Sequence, residues 1–436
     1  MARVVVIGGG FGGLACALRL AKLGHEVSLL ESGELGGALA PVAGEGFEWD
    51  ASATHTLLPA VVRDLFRKTG RPLEKELELT QLDCLREHWF EDGSALVLPT
   101  GRAPQHDAFE ALGAGLGRRW VDHVAAYADD WEALRLGFME VPWTPAALPR
   151  AVAARLDARE SLQRRLRGLR DDRLRLVAGH PFTVDGHDLR QVPAWAGLTS
   201  YLEQRFGAWT VTGGMGVLRD ALVRRLGTRG ITVVGARADD IVVRDGRAAG
   251  VATTSGDLDA EVVVCAVDPR GLPGLAPLVR RTMPAMPPVV CHVGLDDPVR
   301  DLPHEVVLHG EPTLVLRTGG RAPDGGAAWT VLGRGRVSED LLTTLARRGI
   351  DVRAHVVTRV DRSPKDLVEA WHGTPLGIEW EGRGTVRLRL GPTTPVPGVF
   401  ACGAHANPGS GLPYVGLSAA LVAQAVGPAR ATAAGR

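Results

Sequence analysis

The sequence predicts an α/β fold organised around a strand, a glycine-rich turn and a helix, and three observations predict it. Val4 to Ile7 is a short run of β-branched residues, followed at once by Gly8, Gly10 and Gly13 in the spacing G-x-G-x-x-G. An apolar helical stretch then leads to a second apolar run that closes on an acid, Glu31, eighteen residues after Gly13. Far along the chain, Val399 to Cys402 and a turn rich in glycine and proline precede another apolar helix from about Pro413. Together these read as a Rossmann-like, dinucleotide-binding unit.

Each glycine of the opening has a physical task. Gly8 permits a tight turn, Gly10 lets backbone amides approach a pyrophosphate with no Cβ in the way, and Gly13 lets the helix pack closely on the strand. The pyrophosphate is expected at the helix N-terminus, where unpaired N–H groups and the positive end of the dipole favour an anion. Glu31 is placed to accept hydrogen bonds from a ribose 2′-OH. A carboxylate there repels a 2′-phosphate, which favours FAD or NAD over NADP.

The 436-residue chain has room for two or three domains, or for one large bipartite enzyme. Fifty Lys plus Arg balance fifty Asp plus Glu, so no basic field is available to draw in nucleic acid. The five cysteines (Cys16, Cys84, Cys265, Cys291 and Cys402) are scattered and form no C-x-x-C pair, so reduced thiols in a cytoplasmic protein are expected, with no metal site. The first strand starts too early to leave room for a signal peptide, and no apolar run reaches the length of a membrane span. A peripheral membrane contact is compatible with both.

In chain order, a second glycine doublet, Gly36 and Gly37, follows Glu31 and again brings bare backbone close to a ligand. Gly46 to His55 reads as a strand and turn, and Thr56 to Thr69 as an amphipathic helix with Gly70 as its stop. Short strands are expected over 73–98. An arginine- and alanine-rich helical block follows from about Asp107 to Arg170, broken by Pro142, Pro145 and Pro149, with its charges on a solvated face. A helix is predicted over Pro193 to Phe206 and another opening at Gly213, Gly214 and Gly216. Asp245-Gly246 marks a hairpin, and Glu261 to Val267 a buried strand. Residues 270–385 read as mixed α/β, with strands near 289–293, 306–309, 313–316, 329–332 and 355–360 and a helix near 339–348. An alanine-rich end closes the chain.

Four blocks, in this order, resemble the FAD-dependent phytoene desaturase and carotenoid oxidoreductase family within the flavin amine oxidase superfamily. They are VVVIGGGFGGLACALRLAKLGHEVSLLE with the glycine doublet and GFEWDAS; PAWAGLTSYLEQRFGAWTVTGGMGVLRDAL; ITVVGARADDIVV with VVVCAVDP; and GVFACGAHANPGSGLPYVG. The resemblance implies a Rossmann-like FAD-binding domain assembled from 1–72, 210–275 and 386–436. A substrate-binding domain of mixed sheet plus helices would take 73–209 and 276–385. It further implies non-covalent FAD, with Gly8, Gly10, Gly13, Glu31, Gly36 and Gly37 holding the ADP half. Ala238 would offer backbone contacts to adenine, and Gly403, Gly411 and Leu412 would lie near the pyrophosphate and flavin. This chain departs from the family at Ala38, where arginine is usual, in the run Trp49-Asp50-Ala51-Ser52-Ala53, and at His405 and Asn407.

The expected chemistry is hydride removal from a C–H bond of a largely apolar small molecule to the flavin, as in a desaturase or dehydrogenase. The chain's length and low aromatic content imply a substrate smaller than a full carotenoid. His405 and His55, each beside one of the flavin turns, are the candidate acid–base groups. Oxygen or a quinone would accept the electrons. One alternative is a flavin amine oxidase, although no lysine lies between Lys75 and Lys365 to serve as the usual active-site lysine. The other is a non-enzymatic prenyl- or lipid-binding escort, which the intact glycines and Glu31 disfavour.

Overall fold

A run of apolar residues with no polar alternation calls for a strand covered on both faces, and Val4 to Ile7 is such a run. In the computed structural model, which describes residues 1–144 and 146–429, it lies at the centre of a five-stranded sheet. The order is 399–401, 262–265, 3–7, 26–30 and 232–234, with every pair parallel. Val4 and Val6 pack with the helices Phe11–Lys22, Met215–Thr228 and Leu412–Val426 on one face. Val5 and Ile7 face the hairpin residues Ile241 and Val251, together with Leu272 and Leu275, on the other. Three distant parts of the chain therefore share one sheet.

The second sheet has seven strands in the order 356–362, 289–295, 327–334, 313–317, 305–308, 84–89 and 95–99. Its neighbours are antiparallel except 305–308 against 84–89, which run parallel. A helical layer between residues 102 and 206 packs around Trp120, Tyr127, Phe138, Leu162 and Leu198.

Most expected elements are present. Asp245 and Gly246 both have positive φ (51° and 71°), the paired left-handed residues that a two-residue hairpin turn needs. The helix expected from Thr56 starts instead at Pro59, because Thr56 exchanges two backbone hydrogen bonds with Trp209. Proline then opens the helix, where its missing N–H costs nothing. Two helices lie outside the predicted ones. Asp172–Thr183 is started by Asp171, whose carboxylate accepts from the Arg173 and Leu174 amides, and Pro364–Trp371 by a Ser363/Asp366 capping box. Pro145 and the alanine-rich end, 430–436, lie outside the described residues.

Candidate active site

The turn after the first strand is built from glycine because backbone lies against backbone there. A Cβ at Gly13 would stand 1.8 Å from the Gly8 carbonyl oxygen, and one at Gly12 2.9 Å from the Gly403 Cα. The N-terminal turn and the C-terminal turn are thus in direct contact. Gly36 donates to the Gly9 carbonyl, and a Cβ on Gly37 would sit 3.2 Å from the Gly10 Cα, which seats the glycine doublet on the same turn. The Glu31 carboxylate accepts from the Gly9 amide (2.6 Å) and the Gly33 amide (2.8 Å).

Gly10 behaves differently from its neighbours. A Cβ there would meet nothing within 4 Å, so it would project into the cavity of about 500 Å³ that the turn lines. Helix Phe11–Lys22 begins at Gly10 and helix Leu412–Val426 at Gly411; neither has a side-chain cap or an acid in its first turn. Two helix N-termini with unspent N–H groups open on one cavity, a setting for a phosphate-bearing ligand. Gly8, Gly10, Glu31, Gly36, Gly37, Gly403, Gly411 and Leu412 all line this cavity, as do His55 and His405. Gly13 supports the turn from behind it. Ala238 opens the hairpin, paired with Thr253, and is not among the lining residues.

The family model of flavin-containing amine oxidoreductases matches residues 11–427. The chain belongs to that family. As a flavin-dependent oxidoreductase of this family, it is 30% identical to the hydroxyneurosporene desaturase of Cereibacter sphaeroides, over 97% of each chain. It is 25% identical to a 4,4′-diapolycopene oxygenase from a Methylomonas species, over 96% of this chain and 97% of that one. Among solved structures, cyclohexylamine oxidase from Brevibacterium oxydans shares the fold with a TM-score of 0.65 at 16% identity, covering 98% of both chains.

The residues present fit a flavin dinucleotide on a further observation. Arg389 is buried, with its guanidinium 4.5 Å over the Trp380 ring and one hydrogen bond to the Pro408 carbonyl. Its Nε has no partner, and among the described residues no carboxylate pairs with it. Burial lowers its pKa only to about 10, so it remains a cation on the cavity wall, where an anionic group would satisfy it.

His405 is 8% exposed, and its Nε2 stands 3.1 Å from the Thr374 carbonyl. A carbonyl only accepts, so Nε2 carries the proton and Nδ1 the lone pair. That Nδ1 has no hydrogen bond, and Asp268 lies 3.9 Å from it. Burial holds the imidazole neutral by lowering its pKa. Burial likewise pushes His55 down to about 3, with Thr54 Oγ1 3.2 Å from its Nδ1. Both histidines are therefore neutral at pH 7 and hold a lone pair, although at about 3 His55 is a weak base.

A buried ionic cluster, unforeseen in the sequence, lines the same cavity. Glu305 accepts from Arg317 Nε at 3.0 Å, lies 3.4 Å from Arg86 Nε, and has His180 Nε2 at 3.7 Å; Arg86 also pairs with Glu203. Strand register assembles it. Glu305 sits directly opposite Arg317, and one residue on, Val306 pairs with Glu87, which brings Glu305 beside Arg86. The only hint in the sequence is the strand CLREHW, which carries polar residues on both faces within a buried sheet.

Proposed function

We propose that this chain is an FAD-dependent oxidoreductase that removes a hydride from a C–H bond of a largely apolar small molecule, with FAD held non-covalently. The observation that carries this is the convergence of two uncapped helix N-termini and the unpaired Arg389 on one cavity. Phe138, Trp195, Leu198, Val290, Leu332 and Leu367 give another part of the wall of that cavity an apolar surface. Bound FAD would supply the hydride acceptor. Gly8, Gly10, Glu31, Gly36 and Gly37 would hold its ADP half, with Gly13 shaping the turn and Ala238 serving adenine from the hairpin. Gly403, Gly411 and Leu412 would face the pyrophosphate and flavin. The FAD domain would comprise 1–72, 210–275 and 386–436, around the parallel sheet, and the substrate domain 73–209 and 276–385.

His405, through its free Nδ1, and His55 are the groups placed to take a proton. Denaturing the purified protein should release FAD, identified by absorbance and mass. Linear polyenes should then reduce the bound flavin anaerobically, while amines do not. Alanine at His405 or His55 is expected to lower kcat with flavin content unchanged. Flavin retained on the denatured chain, or reduction by amines alone, would overturn the reading.

No described helix is long and apolar enough to cross a membrane. One feature supports a peripheral lipid contact. Met283 and Met286 are 57% and 56% exposed, between the exposed Arg280 and Arg281 and the cavity-lining Pro287 and Pro288. A lipid surface is the natural source of an apolar substrate. Co-sedimentation with anionic vesicles is expected, and is expected to fall in the double variant Met283→Ser, Met286→Ser.

A further inference from the structure

A third strand ends between the two glycine turns. The strand 262–265 lies between 3–7 and 399–401 and runs parallel to both, so its exit, residues 266–268, emerges between the turns assigned to the flavin. A Cβ on Gly8 would stand 2.5 Å from Val267 Cγ1, and the Ala266 amide donates to the Ile7 carbonyl. Ligands of parallel sheets bind beyond the carboxyl ends of the strands. Asp268 is the first charged residue after this strand, and it lies on the cavity wall.

The two oxygens of Asp268 have different surroundings. Oδ1 accepts from the Arg270 amide and from Arg270 Nη1, each at 3.0 Å, while Nη2 of that arginine donates to the Thr282 carbonyl at 2.6 Å. The carboxylate is therefore fixed in place. His405 Nδ1, the nitrogen with the lone pair, stands 3.9 Å from the same oxygen. Gly373 closes over both side chains, since a Cβ there would lie 3.4 Å from Asp268 Cβ and 3.9 Å from His405 Nε2.

Oδ2 has no hydrogen bond among the described residues. His405 Nδ1 is sealed from water, whereas Oδ2 is not, and the Asp268 side chain is 14% exposed. The imidazole can thus meet a substrate proton only by way of its neighbour. Capping residues 269–271 and anchoring Arg270 account for Oδ1 alone. Neither explains an anionic oxygen left open on the wall of the cavity.

Removal of a hydride from a saturated carbon leaves a cation. The neighbouring C–H bond then becomes acidic enough for a carboxylate to take its proton, and a fixed negative charge lowers the energy of the cation as it forms.

We infer that Asp268 is the catalytic base, with Oδ2 as the first acceptor of the substrate proton. This deepens the hydride-removal reading above and rests on it. The hydride passes to bound FAD and the proton of the adjacent carbon passes to Oδ2. The electron pair of that C–H bond becomes the second bond of the new alkene. Release of product frees the proton to water and returns the carboxylate.

The test uses the flavin-loaded protein. Asp268→Asn keeps Oδ1 for Arg270 and exchanges Oδ2 for an amide that takes no proton. Flavin content and melting should match the wild type, while single-turnover reduction of the flavin by a linear polyene should slow about a hundredfold or more. A second readout needs no turnover. An apolar chain carrying a quaternary ammonium, which mimics the cation, should bind the wild type about tenfold or more tightly than the same chain with an uncharged quaternary carbon. That preference should vanish in Asp268→Asn. If Asp268→Asn fails to hold flavin, Asp268→Glu decides, and it should keep the preference while slowing reduction about tenfold or more. Reduction at the wild-type rate in the deciding variant, or no wild-type preference for the ammonium, would overturn this inference and leave the hydride-removal reading standing. Reduction by amines and by no polyene would remove both.

Discussion

Gly13→Ala is expected to yield a protein that holds no flavin and melts far below the wild type. The added methyl would sit 1.8 Å from the Gly8 carbonyl oxygen, and backbone cannot retreat as the tip of a side chain does. The helix must move off the strand, or the turn must open. Either change displaces the N–H groups at the helix start and disturbs the contact between Gly12 and Gly403. A clash of this kind belongs among the largest single-residue effects, about 4 kcal/mol or more. Gly10→Ala is the control. Its Cβ meets nothing within 4 Å, and its φ of −70° suits any residue, so the fold should melt as the wild type does. That methyl fills ligand space instead, and flavin affinity should fall about tenfold or more. Melting curves and visible flavin absorbance on the two variants separate folding from binding. A Gly10→Ala protein with full flavin occupancy would show that the cofactor lies elsewhere.

Glu305→Leu is the second large effect. Glu305 is 3% exposed and is shared by Arg86, Arg317 and His180, so its loss leaves two guanidinium groups near each other with Glu203 as the remaining carboxylate. Removing one partner of a buried pair costs about 3–5 kcal/mol, because the other charge stays desolvated and unpaired. The pH dependence carries the same signature. Arg317 and its neighbours hold the Glu305 carboxyl well below its usual range, against burial. A depressed acid contributes stability that is complete above the unfolded value, about 4.3, and is lost as pH falls below it. The nearby histidines act at higher pH. Burial lowers His88 and His180 and pushes His309 down to about 3, so the unfolded chain takes up their protons first. Wild-type stability should therefore begin to fall below about pH 6.5 and steepen below about 4. The Glu305→Leu variant should keep the first decline and show a shallower second one, since other depressed carboxylates such as Asp171 and Asp340 remain, as read by thermal midpoints against pH.

Much of the half built on the parallel sheet was legible in the chain. A G-x-G-x-x-G turn after a β-branched run admits few backbone paths, and Asp245-Gly246 admits only a tight hairpin. Such signals are local, so they survive in the sequence as residue type and spacing. Gly12 was overlooked although it stands within the motif, because its role is a contact with Gly403, 391 residues away. The Ala238 position, read from resemblance alone, sits in the hairpin and off the cavity wall.

By itself the sequence determined the strand–turn–helix–strand opening, the matching turn at the C-terminus, and through them the expectation of a dinucleotide-type site. What only the tertiary structure decided is which charges meet inside it. Arg86, His180, Glu203, Glu305 and Arg317 come from three strands and two helices far apart in the chain, and each alone reads as a surface residue. Their meeting depends on a parallel pairing of 305–308 with 84–89 and on helices laid over that sheet, all of them long-range choices. No spacing along the chain records such choices, because they follow from the packing of whole faces against one another.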